Sequence, residues 1–243
     1  MLREDLHCIG RQVFLNECAG YPKNLVFWSP NESFPSLGIG HFIWYPEGSS
    51  EPFRESFPDL VRFFRKNRVE FPEWLWDSGR IRLPWRVREE FMEEGESERV
   101  LALRDLLERT WDLQVFFMLE RSKRSIGKIL SATPPAERAP LFARFHRLSS
   151  FREGAFALLD YVNFKGEGYK TSERYEGYGW GLKQVLEEMD EESFIQDPLR
   201  EFVRTALDVL ERRVKYSPLS KKEHLWLPGW RKRVQSYSTF QCP

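Results

Sequence analysis

The sequence predicts an α+β protein that is mainly α-helical, with a small β-rich lobe beside a helical remainder built around a long central helix. Two observations predict this fold class. Apolar residues recur at helical spacing through most of the chain, and the longest such stretch runs from Ser97 to about Ala132. Between about residues 21 and 52 the apolar pieces are short and separated by Pro, Asn, Gly and Ser, as in small antiparallel sheets. We expect one domain over residues 1–243.

The expected elements follow in chain order. A first helix extends to about Cys18, because Gly20 and Pro22 then stop the apolar period. Strand segments at 25–28 and 37–45 form the β-rich lobe. The central helix, in one or two pieces, ends at the adjacent prolines 134 and 135. Other helices are predicted at about 60–65, 139–146, 155–161, 182–189 and 199–216.

Composition limits the class of protein. The 243 residues are 41% hydrophobic and 30% charged, which excludes collagen-like, generally disordered and disulfide-scaffold proteins. No apolar run reaches the roughly 18 residues that a membrane-spanning helix needs, so we expect no integral membrane segment. Lys+Arg and Asp+Glu both number 37, which removes the global positive field of non-specific nucleic-acid binders. We therefore expect no nucleic-acid partner.

Two segments depart from this balance of charge. Residues 89–98 contain six Glu and no basic residue, and residues 211–233 carry eight Lys or Arg against two Glu. Both are interpreted as solvated faces. The alternative for the basic segment is attraction to an anionic polymer, which salt would screen.

The cysteines and the amino terminus bear on the compartment. Cys8, Cys18 and Cys242 cannot all pair within one chain, and none has CxxC spacing. We predict that Cys8 and Cys18 are not linked, because a continuous helix would separate them by roughly 15 Å. Residues 1–6 lack the apolar run of a signal peptide. The expected location is cytoplasmic, or the cell envelope or periplasm if a leader has been removed.

Glu17 is the first candidate for chemistry. A carboxylate at the end of an apolar helix, beside a lobe rich in aromatic residues, has surroundings that raise a carboxyl pKa and keep a general acid protonated. The aromatic lobe contains the segment Ser36–Trp44, with its Gly-Ile-Gly-His turn at 38–41. The alternative is that Glu17 is only a solvated charge at a helix end.

The order of an amino-terminal helix, Glu17 at its end, a turn-rich strand segment and then Ser36-Leu-Gly-Ile-Gly-His41 resembles phage-type lysozymes and endolysins, which cleave the glycan of peptidoglycan. Residues 155–166 are similar to an apolar helix of that family that ends in Asn and Gly, and residues 212–237 to its closing segment. Residues 179–185 are similar to the Gly-Leu-x-Gln-Val stretch of goose-type lysozymes and lytic transglycosylases. The resemblance implies a lysozyme-like fold and a muramidase-type, glycan-cleaving enzyme acting on peptidoglycan or a related amino-sugar polymer.

The resemblance also implies roles for residues. Glu17 matches the catalytic acid, Ser36 the Thr that helps to hold water, and His41 the His that closes the turn, so we expect Glu17 within a few ångströms of that turn. The water-activating Asp of the phage enzymes has no counterpart, and the nearest carboxylate is Glu32. Hydrolysis and transglycosylation both stay open, because lytic transglycosylases need no second protein carboxylate. The residues expected to contact substrate are His41, Trp44, Asn163, Glu167, Trp180 and Gln184, with Glu167 in reserve as the second carboxylate.

Each of these residues has a structural alternative. Aromatic residues often belong to the core, glycines serve turns, and buried amides tie loops together. The four histidines show no metal-ligand spacing, so we expect no metal and no cofactor. No Gly-x-Ser-x-Gly elbow or Walker loop is present. The alternative function is a catalytically silent lysozyme-fold module that binds glycan or a protein partner.

Overall fold

A computed structural model describes residues 3–49, 55–77, 79–171 and 173–240. Helices predominate in this part of the chain, with two small antiparallel sheets, so the mainly helical α+β class is confirmed. The described part of the chain divides into two compact units, the first ending at Met118 and the second beginning at Leu119. Among the described residues, no helix combines the length and the apolar character that crossing a bilayer requires.

The first unit contains the β-rich lobe. Its three strands pair antiparallel in the order β1-β2-β3, with Val26 opposite Leu37 and Leu37 opposite Phe42. These strands lie where short apolar pieces were predicted. The elements are α1 (Arg3–Cys18), β1 (Val26–Phe27), β2 (Ser36–Leu37), β3 (Phe42–Ile43), α2 (Phe57–Lys66), α3 (Arg88–Glu94), α4 (Glu98–Arg109) and the first part of α5 (Trp111–Ser131).

The expected central helix is divided into α4 and α5 at Thr110. Thr110 leaves helical geometry with φ −115° and ψ 21°, and its hydroxyl donates to the Leu106 carbonyl at 2.7 Å. The side-chain amide of Gln114 donates to the Leu107 carbonyl at 2.6 Å. The Gln114 side chain therefore satisfies a backbone carbonyl at the break between α4 and α5. The same side chain also accepts a hydrogen bond from the turn at the candidate site.

The second unit is a set of helices with one hairpin. Helix α10 packs against α8, α9 and α11. A buried ion pair fastens α11 to α7: Asp160, 1% exposed, accepts hydrogen bonds from Arg233 at 2.8 and 2.9 Å and from the Tyr237 hydroxyl at 2.7 Å. The elements are α6 (Pro135–Ser149), α7 (Arg152–Lys165), β4 (Arg174–Tyr175), β5 (Tyr178–Gly179), α8 (Leu182–Glu188), α9 (Glu191–Gln196), α10 (Pro198–Tyr216) and α11 (Leu227–Thr239).

Four elements were not predicted: α3, α9, α11 and the β4-β5 hairpin. Helix α3 has a single buried apolar residue, Phe91, and α11 buries only Val234 and Tyr237, so neither shows a clear apolar period. The hairpin turns through Glu176 and Gly177, which both have positive φ, 49° and 86°. The two-residue turns that match the twist of the strands require positive φ at both central residues. The sequence does not signal such a turn here, because Glu176 is not one of the residues that favour the first position.

Candidate active site

Glu17 lies at the carboxyl-terminal end of α1. The helix stops after Cys18, because Ala19 and Gly20 take positive φ of 52° and 75° and the Tyr21 N–H donates to the Cys18 carbonyl at 3.0 Å. A carboxylate at this end opposes the helix dipole, so the helix itself gains nothing from Glu17. The side chain is nonetheless largely covered, with 11% exposed.

The turn from Gly38 to His41 joins β2 to β3. Gly38 has φ +68°, and a side chain there would collide with Gln114, so this position needs glycine. His41 also has positive φ, 46°, which costs energy for a residue with a side chain. The Cys18 sulfur lies 4.0 Å from the Gly38 carbonyl oxygen. The end of α1 is thereby held against the turn.

The turn presents His41 to Glu17. Nδ1 of His41 lies 3.4 Å from Oε2 of Glu17, and 33% of the His41 side chain is exposed. Glu17 therefore lies close to the turn, as the resemblance implies. Burial raises the pKa of the Glu32 carboxyl, and a smaller electrostatic contribution from His41 lowers it. We call these three residues the Glu17–His41–Glu32 cluster.

Glu32 belongs to the loop between β1 and β2. The indole N–H of buried Trp28 donates to the Glu32 carbonyl at 2.9 Å, and the Glu32 N–H donates to the Ser29 carbonyl at 3.1 Å. These bonds fix the backbone at Glu32 while the residue stays at the surface. Partial burial of the carboxyl raises the pKa of Glu32 above its ordinary value. Glu32 thus shares two properties with catalytic carboxylates: a fixed backbone and a raised pKa.

Cys18 is free and buried, so the prediction that it is not linked to Cys8 is confirmed. Burial, with a smaller contribution from Glu17, raises the pKa of its thiol to about 12. At neutral pH the thiol is protonated and a poor nucleophile. Its role is contact with the turn rather than covalent chemistry.

Two other predicted site residues of the first unit lie in packed positions. Ser36 is 8% exposed and sits in β2 between Phe27 and Ile43. Trp44 is 1% exposed, and its ring lies 4.7 Å from that of Phe57. A sugar platform needs an open ring face. Trp44 is therefore packed in the core, which favours its structural alternative over contact with substrate.

In the second unit, Glu167 lies in the loop after α7. Its Oε1 accepts hydrogen bonds from Ser125 Oγ and Lys128 Nζ, both at 2.7 Å, and 18% of its side chain is exposed. Oε1 of Glu167 therefore already accepts two hydrogen bonds from within the protein. Asn163, in the last turn of α7, is half-buried.

Gln184 and Trp180 hold the neighbouring loops together. The Gln184 amide accepts from the Gly181 N–H and donates to the Gly168 carbonyl, each at 3.1 Å, and the residue is 6% exposed. Trp180 is 9% exposed, with the Arg213 guanidinium 4.1 Å from its ring centre. Gln184 ties two loops together and Trp180 is a packed aromatic residue, which favours the structural alternative for both.

The sequence interpretation missed Gln114, which anchors the turn. Its Oε1 accepts from the Ile39 N–H at 2.9 Å, and its amide N–H groups donate to the Leu107 carbonyl and, at 3.1 Å, to the Thr110 hydroxyl. The residue is fully buried. A signal was present: Gln114 lies on the apolar face that includes Trp111 and Val115, where a polar residue needs internal partners.

Replacing Gln114 by Leu should destabilise the protein by on the order of 2–3 kcal/mol. The change keeps much of the volume but leaves the buried Ile39 N–H and Leu107 carbonyl without these partners. Chemical denaturation measures the free energy of unfolding. Gln235→Leu, at an exposed position of α11, is the matched control. Equal stability of the Gln114 variant and the wild type would contradict the anchoring role.

No three His, Cys, Asp or Glu side chains converge as metal ligands in the part of the chain that the structure describes. Comparison of the chain with protein-family models, with curated proteins and with solved structures gave no match. The lysozyme-like fold therefore stays a prediction. Support for a function comes from the sequence motifs and from the geometry of the Glu17–His41–Glu32 cluster.

Proposed function

We propose that the protein is a muramidase-type enzyme that cleaves the glycan strands of peptidoglycan or a related amino-sugar polymer. One observation carries the proposal: the Glu17 carboxylate lies 3.4 Å from Nδ1 of His41, and Glu32 interacts electrostatically with the same histidine. Glycoside hydrolysis needs two carboxyl groups, one that gives a proton and one that activates water or stabilises the transition state. The resemblance to phage-type lysozymes assigns the first task to Glu17.

Glu17 donates its proton to the glycosidic oxygen as the bond breaks. The carboxylate that results lies 3.4 Å from His41 Nδ1. A protonated or N–H-donating imidazole at this distance stabilises the charge that develops on Glu17 in the transition state. Stabilisation of developing charge by a preorganised group lowers the barrier without tightening substrate binding. His41 is thus a positioning residue for the acid.

Glu32 activates the attacking water. A general base works best when its pKa lies near the working pH, and partial burial moves the pKa of Glu32 upward, in that direction. Ser36, two residues before the turn, is proposed to help hold this water.

We prefer the enzyme to the silent binding module. Such a module would depend on Trp44, Trp180, Asn163 and Gln184 as its glycan surface. Trp44, Trp180 and Gln184 are at most 9% exposed. The side-chain amide of Gln184 is already hydrogen-bonded to two backbone groups. The cluster, in contrast, combines two carboxylates and a strained histidine, which a binding module does not require.

Digestion of purified peptidoglycan with the full chain, followed by mass spectrometry of the fragments, tests the proposal. Fragments with new reducing ends indicate hydrolysis. Fragments with anhydro sugars indicate transglycosylation, in which the 6-hydroxyl of the muramoyl sugar attacks in place of water. The absence of fragments would contradict glycan cleavage of this polymer.

The variant Glu32→Gln should separate these two reactions. If Glu32 activates water, its loss lowers the rate of cleavage on the order of a hundredfold or more, because positioned bases contribute about 10² to 10⁴. If the sugar's own hydroxyl attacks, the loss is mild and the fragments carry anhydro ends. Glu108→Gln, at an exposed position of α4, is the control. A severe loss of rate combined with anhydro products would contradict the water-activating role.

A further inference from the structure

The second unit exposes apolar side chains in one short segment, Leu219–Trp226. Leu219 is 93% exposed, Leu225 66% and Trp226 64%. Three large apolar side chains within eight residues make a local apolar surface, whereas single exposed ones need no explanation. We call these eight residues the 219–226 surface.

The 219–226 surface is anchored from within. Glu223, 7% exposed, accepts two hydrogen bonds from Arg213, both at 2.7 Å, and one from the Tyr175 hydroxyl at 2.9 Å. Lys222 takes left-handed backbone geometry, φ 49°, between the short 3-10 turns at 219–221 and 223–225. The polar Glu223 therefore points inward, and its apolar neighbours point outward. This inverts the usual preference, in which apolar residues are buried.

The 219–226 surface and the helices next to it also carry lysines that form no ion pair with a carboxylate of the described residues. Four arginines of this region form ion pairs: Arg212 with Glu188, Arg213 with Glu223, Arg231 with Glu211 and Arg233 with Asp160. The lysines differ. Four exposed lysines have no carboxylate partner among the described residues, two of them inside the surface and two on the adjoining helices: Lys221, Lys222, Lys215 and Lys232. Since the whole chain has a formal net charge of +0, this is a local asymmetry.

We propose that the 219–226 surface docks on an anionic lipid bilayer. A soluble polyanion would pair with the lysines but would leave Leu219 and Leu225 in water. The interface of an anionic bilayer accommodates both groups, because headgroups attract the lysines while Leu and Trp enter the boundary with the acyl chains. The contact is peripheral, and it holds the protein at the membrane surface independently of any glycan cleavage.

Cosedimentation of the full chain with lipid vesicles tests this proposal. We expect binding to vesicles of equimolar phosphatidylglycerol and phosphatidylcholine, little binding to phosphatidylcholine alone, and weaker binding as salt rises. Lys221→Glu/Lys222→Glu should weaken binding at least about 25-fold, since each lysine near such a surface contributes about fivefold. Leu219→Ser/Leu225→Ser should also weaken it, because the apolar contact is lost.

Two variants serve as matched controls. Lys66→Glu/Arg147→Glu makes the same change in net charge at exposed positions elsewhere, and Ile195→Ser removes an apolar side chain that is 70% exposed. Both should bind vesicles as the wild type does. Absence of binding to anionic vesicles overturns the proposal. Full binding by the Leu219/Leu225 variant, with loss only in the lysine variant, overturns it in favour of a simple polyanion site.

Discussion

Replacing Glu17 by Gln should lower the rate of glycan cleavage at least about a hundredfold. Gln keeps the shape and most of the hydrogen-bonding capacity of Glu but has no proton to transfer. The melting temperature should stay within a few degrees of wild type or rise, because a carboxylate at the end of α1 opposes the helix dipole. Rates on purified peptidoglycan and thermal unfolding measure the two effects.

The control for this variant lies on the same helix. Glu4 is exposed in the first turn of α1, and Glu4→Gln removes one carboxylate without touching the cluster. Its rate should equal that of the wild type. Full activity of Glu17→Gln, on a substrate that the native protein cleaves, would remove Glu17 as the acid and move attention to Glu167.

Replacing Lys165 by Met should stabilise the protein at neutral pH by on the order of 2–4 kcal/mol. Burial, with smaller contributions from Arg213 and Arg233, lowers the pKa of Lys165 from 10.5 to about 6, while Glu223 acts in the opposite direction. The folded chain must therefore release a proton that the unfolded chain keeps, at a cost of about 1.4 kcal/mol for each pKa unit. Met can pack between the rings of Phe164 and Trp230 without this cost.

The stabilisation should depend on pH in a defined direction. Below about pH 6 Lys165 is protonated in both the folded and the unfolded chain, so the full free-energy cost of burying its charge lowers the stability of the folded chain. Between about pH 6 and 10.5 only the unfolded chain holds the proton, so the cost shrinks as pH rises. The gap in unfolding free energy between Lys165→Met and wild type should therefore narrow from pH 6.5 to pH 9.5, on the order of 1 kcal/mol for each pH unit.

Chemical denaturation of both proteins at these pH values measures the gap. Lys66→Met is the matched control, because Lys66 also lies in the last turn of a helix but is exposed. It should leave stability almost unchanged at every pH. A gap for Lys165→Met that is absent, or that widens with pH, would contradict a buried lysine that loses its charge on folding.

Much of the helical fold could be predicted because its signals are local. Helix α1 shows an apolar period that glycine and proline interrupt, and α10 has a strong amphipathic pattern. Helix α11 is different, since its place depends on Asp160, which is more than 70 residues away along the chain. Such a tertiary contact leaves no periodic trace in the sequence.

The candidate site likewise has features that the sequence predicts and features that depend on tertiary contacts. The approach of Glu17 to His41 followed from the resemblance, which supplied a helix end and a turn that meet. The packed positions of Trp44 and Gln184 did not follow, because residue type does not reveal which face of a strand or loop is covered. Gln114 could have been found from its position on an apolar helix face, but its partner, the Ile39 N–H, could not.

Digestion of peptidoglycan in ¹⁸O-labelled water by wild type, Glu17→Gln and Glu4→Gln, side by side, tests directly whether Glu17 is the acid of a glycan-cleaving enzyme. Mass spectrometry of the fragments reports both the cleavage and the origin of the new end. We predict fragments that carry ¹⁸O at their new reducing ends from wild type and Glu4→Gln, and almost none from Glu17→Gln. No fragments from wild type, or equal fragments from Glu17→Gln, would contradict a glycan-cleaving enzyme with Glu17 as its acid.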